Sequence, residues 1–152
     1  MSNYTPAQIV ERYGMQPIPT EGGYFSQTWA DEHSSAIMFL IEAPDFSGLH
    51  HLQAPEIWFY HAGAPTKMLL LHPDGRIEEP VLGPDLAGGH EVQVAVAPGV
   101  WMAAETEGDW SLLGTYMSPP YVEELVVFPG LAEAAEKYPA ARERLERVCR
   151  FP

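Results

Sequence analysis

Gly48-Leu49-His50-His51-Leu52-Gln53-Ala54-Pro55-Glu56-Ile57-Trp58-Phe59-Tyr60-His61 decides the fold. The run reads as two short strands, Gly48–Leu52 and Ile57–His61, about an Ala54-Pro55 turn. Side chains of a strand alternate between faces, so His50 and Leu52 share one side and His51 takes the other. If that phase carries across the turn, Glu56, Trp58 and Tyr60 join His50, and His61 looks away. Ile57 and Phe59 then leave the opposite face apolar as well, which suits a sheet covered on both sides.

Outward from this run the same punctuation continues. Tyr24–Trp29, Ser35–Ile41, Lys67–His72, His90–Val96, Val100–Ala104, Ser111–Tyr116 and Leu125–Phe128 are short, rich in β-branched and aromatic residues, and separated by Gly, Pro and Asp clusters. Pro73-Asp74-Gly75 is a turn, since Pro presets φ, Asp bonds back to the backbone and Gly accepts positive φ. Gly83–Gly89 is a loop by the same logic. Nine strands without intervening helices predict an antiparallel sandwich or barrel over about residues 20–128. At the start, Thr5-Pro6-Ala7-Gln8 forms a capping box and Gly14 a stop, predicting a short N-terminal helix. At the end, Leu131–Tyr138 and Ala140–Val148 predict C-terminal helices within 131–150. Leu131, Ala135, Tyr138, Ala141, Leu145 and Val148 form their docking face. The chain of 152 residues reads as one domain, 1–152.

Charge excludes one class of partner. The chain carries 8 basic and 21 acidic side chains, a net of −13. Residues 1–130 hold Arg12, Lys67 and Arg76 as their basic residues, and the rest cluster with glutamates near the C-terminus. No positive stripe is available for DNA, RNA or anionic lipid, so no nucleic-acid partner is expected. No signal-peptide pattern opens the chain, and no apolar run approaches the ~18 residues of a membrane span. With Cys149 as its one cysteine, a cytoplasmic location and no membrane partner are expected. Cys149 itself reads as a small buried hydrophobe.

Ordered motifs point further. Gly48 to Glu56, six residues and Gly63 resemble the first cupin motif, and Val96-Ala97-Pro98-Gly99-Val100-Trp101 the second. Together with Glu21-Gly22-Gly23-Tyr24-Phe25, Phe46-Ser47-Gly48-Leu49-His50, Pro73-Asp74-Gly75 and Leu82-Gly83, they are similar to the uncharacterised cupin 5 family of RmlC-like jelly rolls. The resemblance covers roughly residues 7–128. It implies a mainly β cupin double-stranded β-helix with its pocket inside the barrel, and a homodimer.

The chain departs from metal-binding cupins. Their first His maps to His50 and their Glu to Glu56, but Leu52 and Met102 stand at the other two His positions. Taking His51 as the histidine leaves Leu49 at the first place instead. Thioether and alkyl groups hold Zn, Fe or Mn poorly. No cofactor is therefore expected beyond weak divalent binding at His50 and Glu56. Pro19-Thr20 before Glu21 and Ser26 after Phe25 also depart from the family pattern.

The pocket expected from these residues is aromatic and metal-poor. Tyr24, Trp58, Trp101 and Tyr60 wall it, Gln93 and Met102 add ligand contacts, and His50 beside Glu56 supplies a base with its tautomer fixed. The leading expectation is a small-molecule-binding cupin of unknown ligand. The enzymatic alternatives are a sugar-nucleotide epimerase or isomerase, with His50 abstracting a proton next to a carbonyl and Tyr60 or Tyr24 returning one, or a weakly metal-dependent cupin enzyme. A third class is a non-catalytic interaction module, a homodimer formed by sheet faces or by an exchanged N-terminal strand. His33, His72 and His90 lie beside turn signals and read as surface residues. Glu78-Glu79 and Glu123-Glu124 are neighbours that face apart.

Overall fold

The computed structural model describes residues 3–152; Met1 and Ser2, the predicted start of the domain, lie outside the described residues. Helix α1 (Pro6–Tyr13) begins where the capping box puts it. Thr5 Oγ1 accepts from Gln8 N at 3.2 Å, Thr5 N donates to Gln8 Oε1 at 2.9 Å, and Gly14 stops the helix at φ 59°. The strands follow in chain order: β1 (Gln16–Pro17), β2 (Tyr24–Ala30), β3 (Ser35–Glu42), β4 (Ser47–His50), β5 (Glu56–Gly63), β6 (Thr66–Leu71), β7 (Ile77–Glu78), β8 (Val81–Leu82), β9 (Gln93–Val96), β10 (Trp101–Thr106) and β11 (Trp110–Met117). Helices α2 (Leu131–Lys137) and α3 (Arg142–Val148) close the chain, joined by a 3-10 turn over Pro139–Ala141.

Two antiparallel sheets face each other. The first runs β1-β2-β3-β11-β5-β9 and the second β4-β10-β6-β7, with β8 also on β6. Chain neighbours are seldom sheet neighbours, as in a jelly roll. Inward residues of both sheets, among them Phe39, Trp58, Met68, Val94, Met102 and Leu113, make the main core. Two smaller cores lie outside the sandwich. Tyr138, Ala141, Leu145 and Val148 of the C-terminal segment dock on Leu49, Leu69, Leu71 and Ala103 of the second sheet, as the helical spacing predicts. Ile9 of α1 packs on Leu40 and Leu112 of the first. Cys149 is free, half-buried and packed against the helical cluster, and burial raises its thiol pKa.

Two sequence expectations need correction. Leu125–Phe128 is not a strand: Glu123–Leu125 winds a 3-10 turn, and Val127 alone pairs, with His51. Leu125 and Val127 are exposed and only Val126 packs on the core, so the apolar run lacks a second sheet neighbour. The strand predicted over His90–Val96 begins only at Gln93. Conversely, the two-residue strands β1, β7 and β8 are too short to leave an alternation signal. Among the described residues no helix is long and apolar enough to cross a membrane.

Candidate functional site

A cavity of about 90 Å³ opens between the sheets at the end where β4 meets the loop between β1 and β2. Each strand contributes alternate residues to it: Phe25 and Gln27 from β2, Ile37 and Phe39 from β3, Glu56 and Trp58 from β5, and Thr115 and Met117 from β11. His50 and Leu52 close it from the second sheet, while Glu21 and Tyr121 come from loops. The phase of His50 and Leu52 therefore does carry across Ala54-Pro55 to Glu56 and Trp58.

His50 is 2% exposed. Its Nδ1 lies 2.7 Å from Gly48 O. A carbonyl oxygen only accepts, so Nδ1 carries the hydrogen and donates it, and Nε2 is the edge left for chemistry. The nearest acid to Nε2 is Glu21, whose Oε1 is 3.6 Å away, within reach of charge but beyond a hydrogen bond. The other Glu21 oxygen accepts from Ser47 Oγ at 2.9 Å.

Glu56 is the deeper acid. Its Oε1 accepts from Trp58 Nε1 at 3.0 Å, a bond between neighbours on one strand face. Burial pushes its carboxyl pKa up to about 7. The His50 charge opposes that rise, the Glu21 charge adds to it, and hydrogen bonds from Thr115 and Trp58 offset part of it. Tyr121, on the rim, is pushed up to about 12 by burial and by the charges of Glu21, Glu123, Glu56 and Glu124. Its hydroxyl stays protonated and can donate at any physiological pH.

Glu21 owes its place to a strained loop held from the far end of the chain. Thr20 adopts φ 69°, costly for a β-branched residue. Gly22, at φ 99°, must lack a side chain, since a Cβ there would lie 2.2 Å from Arg150 Nη2 and 2.3 Å from Phe46 O. That guanidinium nitrogen donates to Glu21 O (2.8 Å), Asp45 Oδ1 (2.9 Å) and Phe46 O (2.7 Å), and its plane stacks 3.7 Å from the Phe46 ring centroid. Burial raises the Asp45 pKa, but hydrogen bonds from Gly23 N–H and Arg150 hold it below the usual carboxylate range.

Of the residues predicted for the site, His50, Glu56 and Trp58 meet at the cavity. The others lie elsewhere. Tyr60 packs on the main core and donates its hydroxyl to Gly63 O at 2.7 Å, beside a bulge that displaces His61. Tyr24 faces outward beneath α1, because Phe25 takes the inward position. Trp101 faces the C-terminal helices and meets His51 edge to face with ring centroids 4.2 Å apart. Gln93 is exposed on the edge strand β9, whose inward residues are Val94 and Val96. Met102 pairs with His50 across the β4–β10 ladder, yet it is packed into the core and does not line the cavity.

His51, the alternative histidine, points away from the cavity with its Nδ1 buried and without a hydrogen-bond partner, and burial lowers its pKa. His33 is exposed, as expected. His72 and His90 are half-buried beside their turns, His72 paired with Glu78 and His90 with the Asp85 backbone. Glu21 and Tyr121 are the site residues that sequence reasoning missed. The adjacent Gly22-Gly23 is a signal for Glu21, since paired glycines mark a close backbone approach. Nothing marks Tyr121, which reaches the rim from a loop beyond β11.

The cupin metal set does not fit these residues. Leu52 lines the cavity and Met102 sits in the core where two further imidazoles would be needed. Among the described residues no three His, Cys, Asp or Glu side chains converge closely enough to grip an ion.

Comparisons with known proteins agree with this architecture. A Shewanella oneidensis protein known from an X-ray structure shares 23% identity, with 99% of this chain and 100% of that one covered at a TM-score of 0.91. A hypothetical protein from Leishmania major shares 22%, covering 98% and 100%, at 0.87. Oxalate decarboxylase from Bacillus subtilis is more distant, at 9% identity and a TM-score of 0.61, covering 91% of this chain and 38% of that one. At these identities the likeness is one of fold. No curated protein matches the chain. Residues 7–127 match the Cupin_5 profile, described as Cupin superfamily (DUF985), and the chain belongs to that family.

Proposed function

We propose that the protein binds a compact small molecule in the cavity between its sheets, and that His50 exchanges a proton with it while Glu21 and Glu56 set the charge around the imidazole. One observation carries this reading: a buried imidazole, its Nδ1 fixed on Gly48 O, turns its other nitrogen toward a cavity edged by two carboxylates. Such a nitrogen accepts a proton from a donor held against it, and Glu56, titrating at about 7, supplies or receives one at neutral pH. The aromatic walls Phe25, Phe39 and Trp58 favour a ligand with an apolar flank. Ligand pockets for drug-sized molecules run to ~300–1,000 Å³, so this one encloses only a few heavy atoms.

A sugar diphosphate suits this cavity less well. No Lys or Arg lines it, and two carboxylates would face the diphosphate. Ile57, Phe59, Met38 and Tyr116 on the outer face of the first sheet support a homodimer packed through that face. Sedimentation as a monomer at micromolar concentration would contradict it. A reducing cytoplasm suits the free Cys149.

The test of the binding reading is NMR. Fragments of about six heavy atoms or fewer should move the Trp58 indole N–H and His50 ring signals together, and His50→Gln should weaken the response. A chemically diverse fragment set that moves neither signal refutes it.

A further inference from the structure

Three of the cavity's polar groups can present acceptors alone to it. Glu21 and Glu56 present carboxylate oxygens, and His50 presents Nε2 with its lone pair, because the hydrogen sits on Nδ1. That nitrogen belongs to a side chain almost wholly buried. Its nearest acid, at 3.6 Å, is too far for a hydrogen bond. Unpaired within the fold and facing the cavity, Nε2 is free to meet a donor that enters. Donor-bearing Gln27, Ser35 and Tyr121 also line the cavity, but none of them carries a charge to match the two acids. Ser47 already bonds Glu21 and Trp58 bonds Glu56. Around these acceptors stand the ring faces or edges of Phe25, Phe39 and Trp58. Carboxylates and aromatic rings together attract a positive charge that carries several N–H donors and an apolar stem.

We propose that the cavity is a site for a compact organic cation, a primary ammonium whose N–H groups meet His50 Nε2, Glu21 and Glu56. This rests on the reading of the cavity as a small-molecule site and adds the sign of the ligand's charge. An anion is disfavoured by the same carboxylates, and a neutral alcohol brings one donor and no charge to a cavity edged by two acids and an imidazole. The volume limits the stem to a few carbons.

Three probes of nearly equal size separate the possibilities: n-propylammonium, 1-propanol and propionate, each titrated into the full chain while the Trp58 indole N–H is followed by NMR. The expected order is n-propylammonium about tenfold or more tighter than 1-propanol, with propionate weakest. Glu21→Gln should weaken n-propylammonium by about tenfold and leave 1-propanol within about twofold, with an unchanged melting temperature as the control for folding. Glu56→Gln gives a second, independent variant with the same expectation for the two ligands, its fold checked by the dispersion of its NMR spectrum because its stability differs from wild type with pH. Equal or tighter binding of 1-propanol or propionate overturns the cation inference but keeps the cavity as a ligand site. Displacement of the ammonium by equimolar Mn²⁺ or Zn²⁺ overturns it in favour of a metal site. No response to any probe overturns the cation inference as well, and a silent diverse fragment set then removes the cavity reading with it.

Discussion

Glu56→Gln turns the buried acid into a measurable stability. The carboxyl titrates at about 7 in the fold against 4.5 when free. The native state therefore holds its proton more tightly than the unfolded chain does. The stabilisation this gives is fully present below about pH 4.5, declines as pH rises from there through 7, and is gone by about pH 8. At 1.36 kcal/mol per pH decade, the whole effect is about 3 kcal/mol. About 2 kcal/mol of it falls between about pH 5.5 and about pH 8.5, a window that avoids most ordinary carboxylates. Glutamine keeps the shape and an oxygen for Trp58 Nε1–H but has no proton to lose. Urea unfolding at several pH values should thus show the wild type losing about 2 kcal/mol relative to Glu56→Gln across that window. Titrating groups remote from Glu56 are common to both chains and cancel in the difference. Parallel stability curves would refute the assignment of a neutral-pH proton to Glu56, whatever the absolute stabilities.

Other outcomes follow from the same structure. Trp58→Phe removes a donor to the charged form of Glu56, so the carboxyl should titrate still higher, as read by carbon NMR of that carboxyl. Arg150→Ala should cost about 2–4 kcal/mol in urea unfolding, because two carbonyls and the Asp45 carboxylate lose one shared donor. It should also move the His50 ring signals, since Glu21 is no longer held. Gly22→Ala should cost about 3 kcal/mol or more, as its Cβ would drive into Phe46 O and Arg150 at a positive φ. If the cation inference holds, n-propylammonium should bind more tightly as pH rises through about 7 and Glu56 ionises. The charged or titratable groups facing it are His50 from β4, Glu21 from the β1–β2 loop and Tyr121 from the segment beyond β11. An affinity independent of pH would count against Glu56 as an ammonium partner.

The sequence by itself determined what depends on neighbours along the chain. Thr5 to Gly14 specified the first helix because a capping box and a left-handed glycine are local devices. Leu131, Tyr138, Leu145 and Val148 marked the docking face because helical spacing repeats within a few residues. His50, Glu56 and Trp58 were legible as one group because successive side chains of a strand take opposite faces and the phase carries across the Ala54-Pro55 turn.

Alternation says nothing where two adjacent residues are both large and apolar. Tyr24-Phe25 and Trp101-Met102 read equally well in either phase, and a shift of one residue exchanges the faces. The ladders decided that Phe25 and Met102 point in, leaving Tyr24 beneath α1 and Trp101 on the C-terminal helices. Tyr60 faces the core but is pulled off the cavity by a bulge, which inserts one residue without a sequence signature.

Glu21 shows the same division most sharply. Its closest functional partner is His50, 29 positions along the chain, and its anchor is Arg150, 129 positions away. Bonds across such separations exist only once the sheets have rolled together and the C-terminal helices have docked. The identity of the imidazole was local information; the acid that faces it was a product of packing.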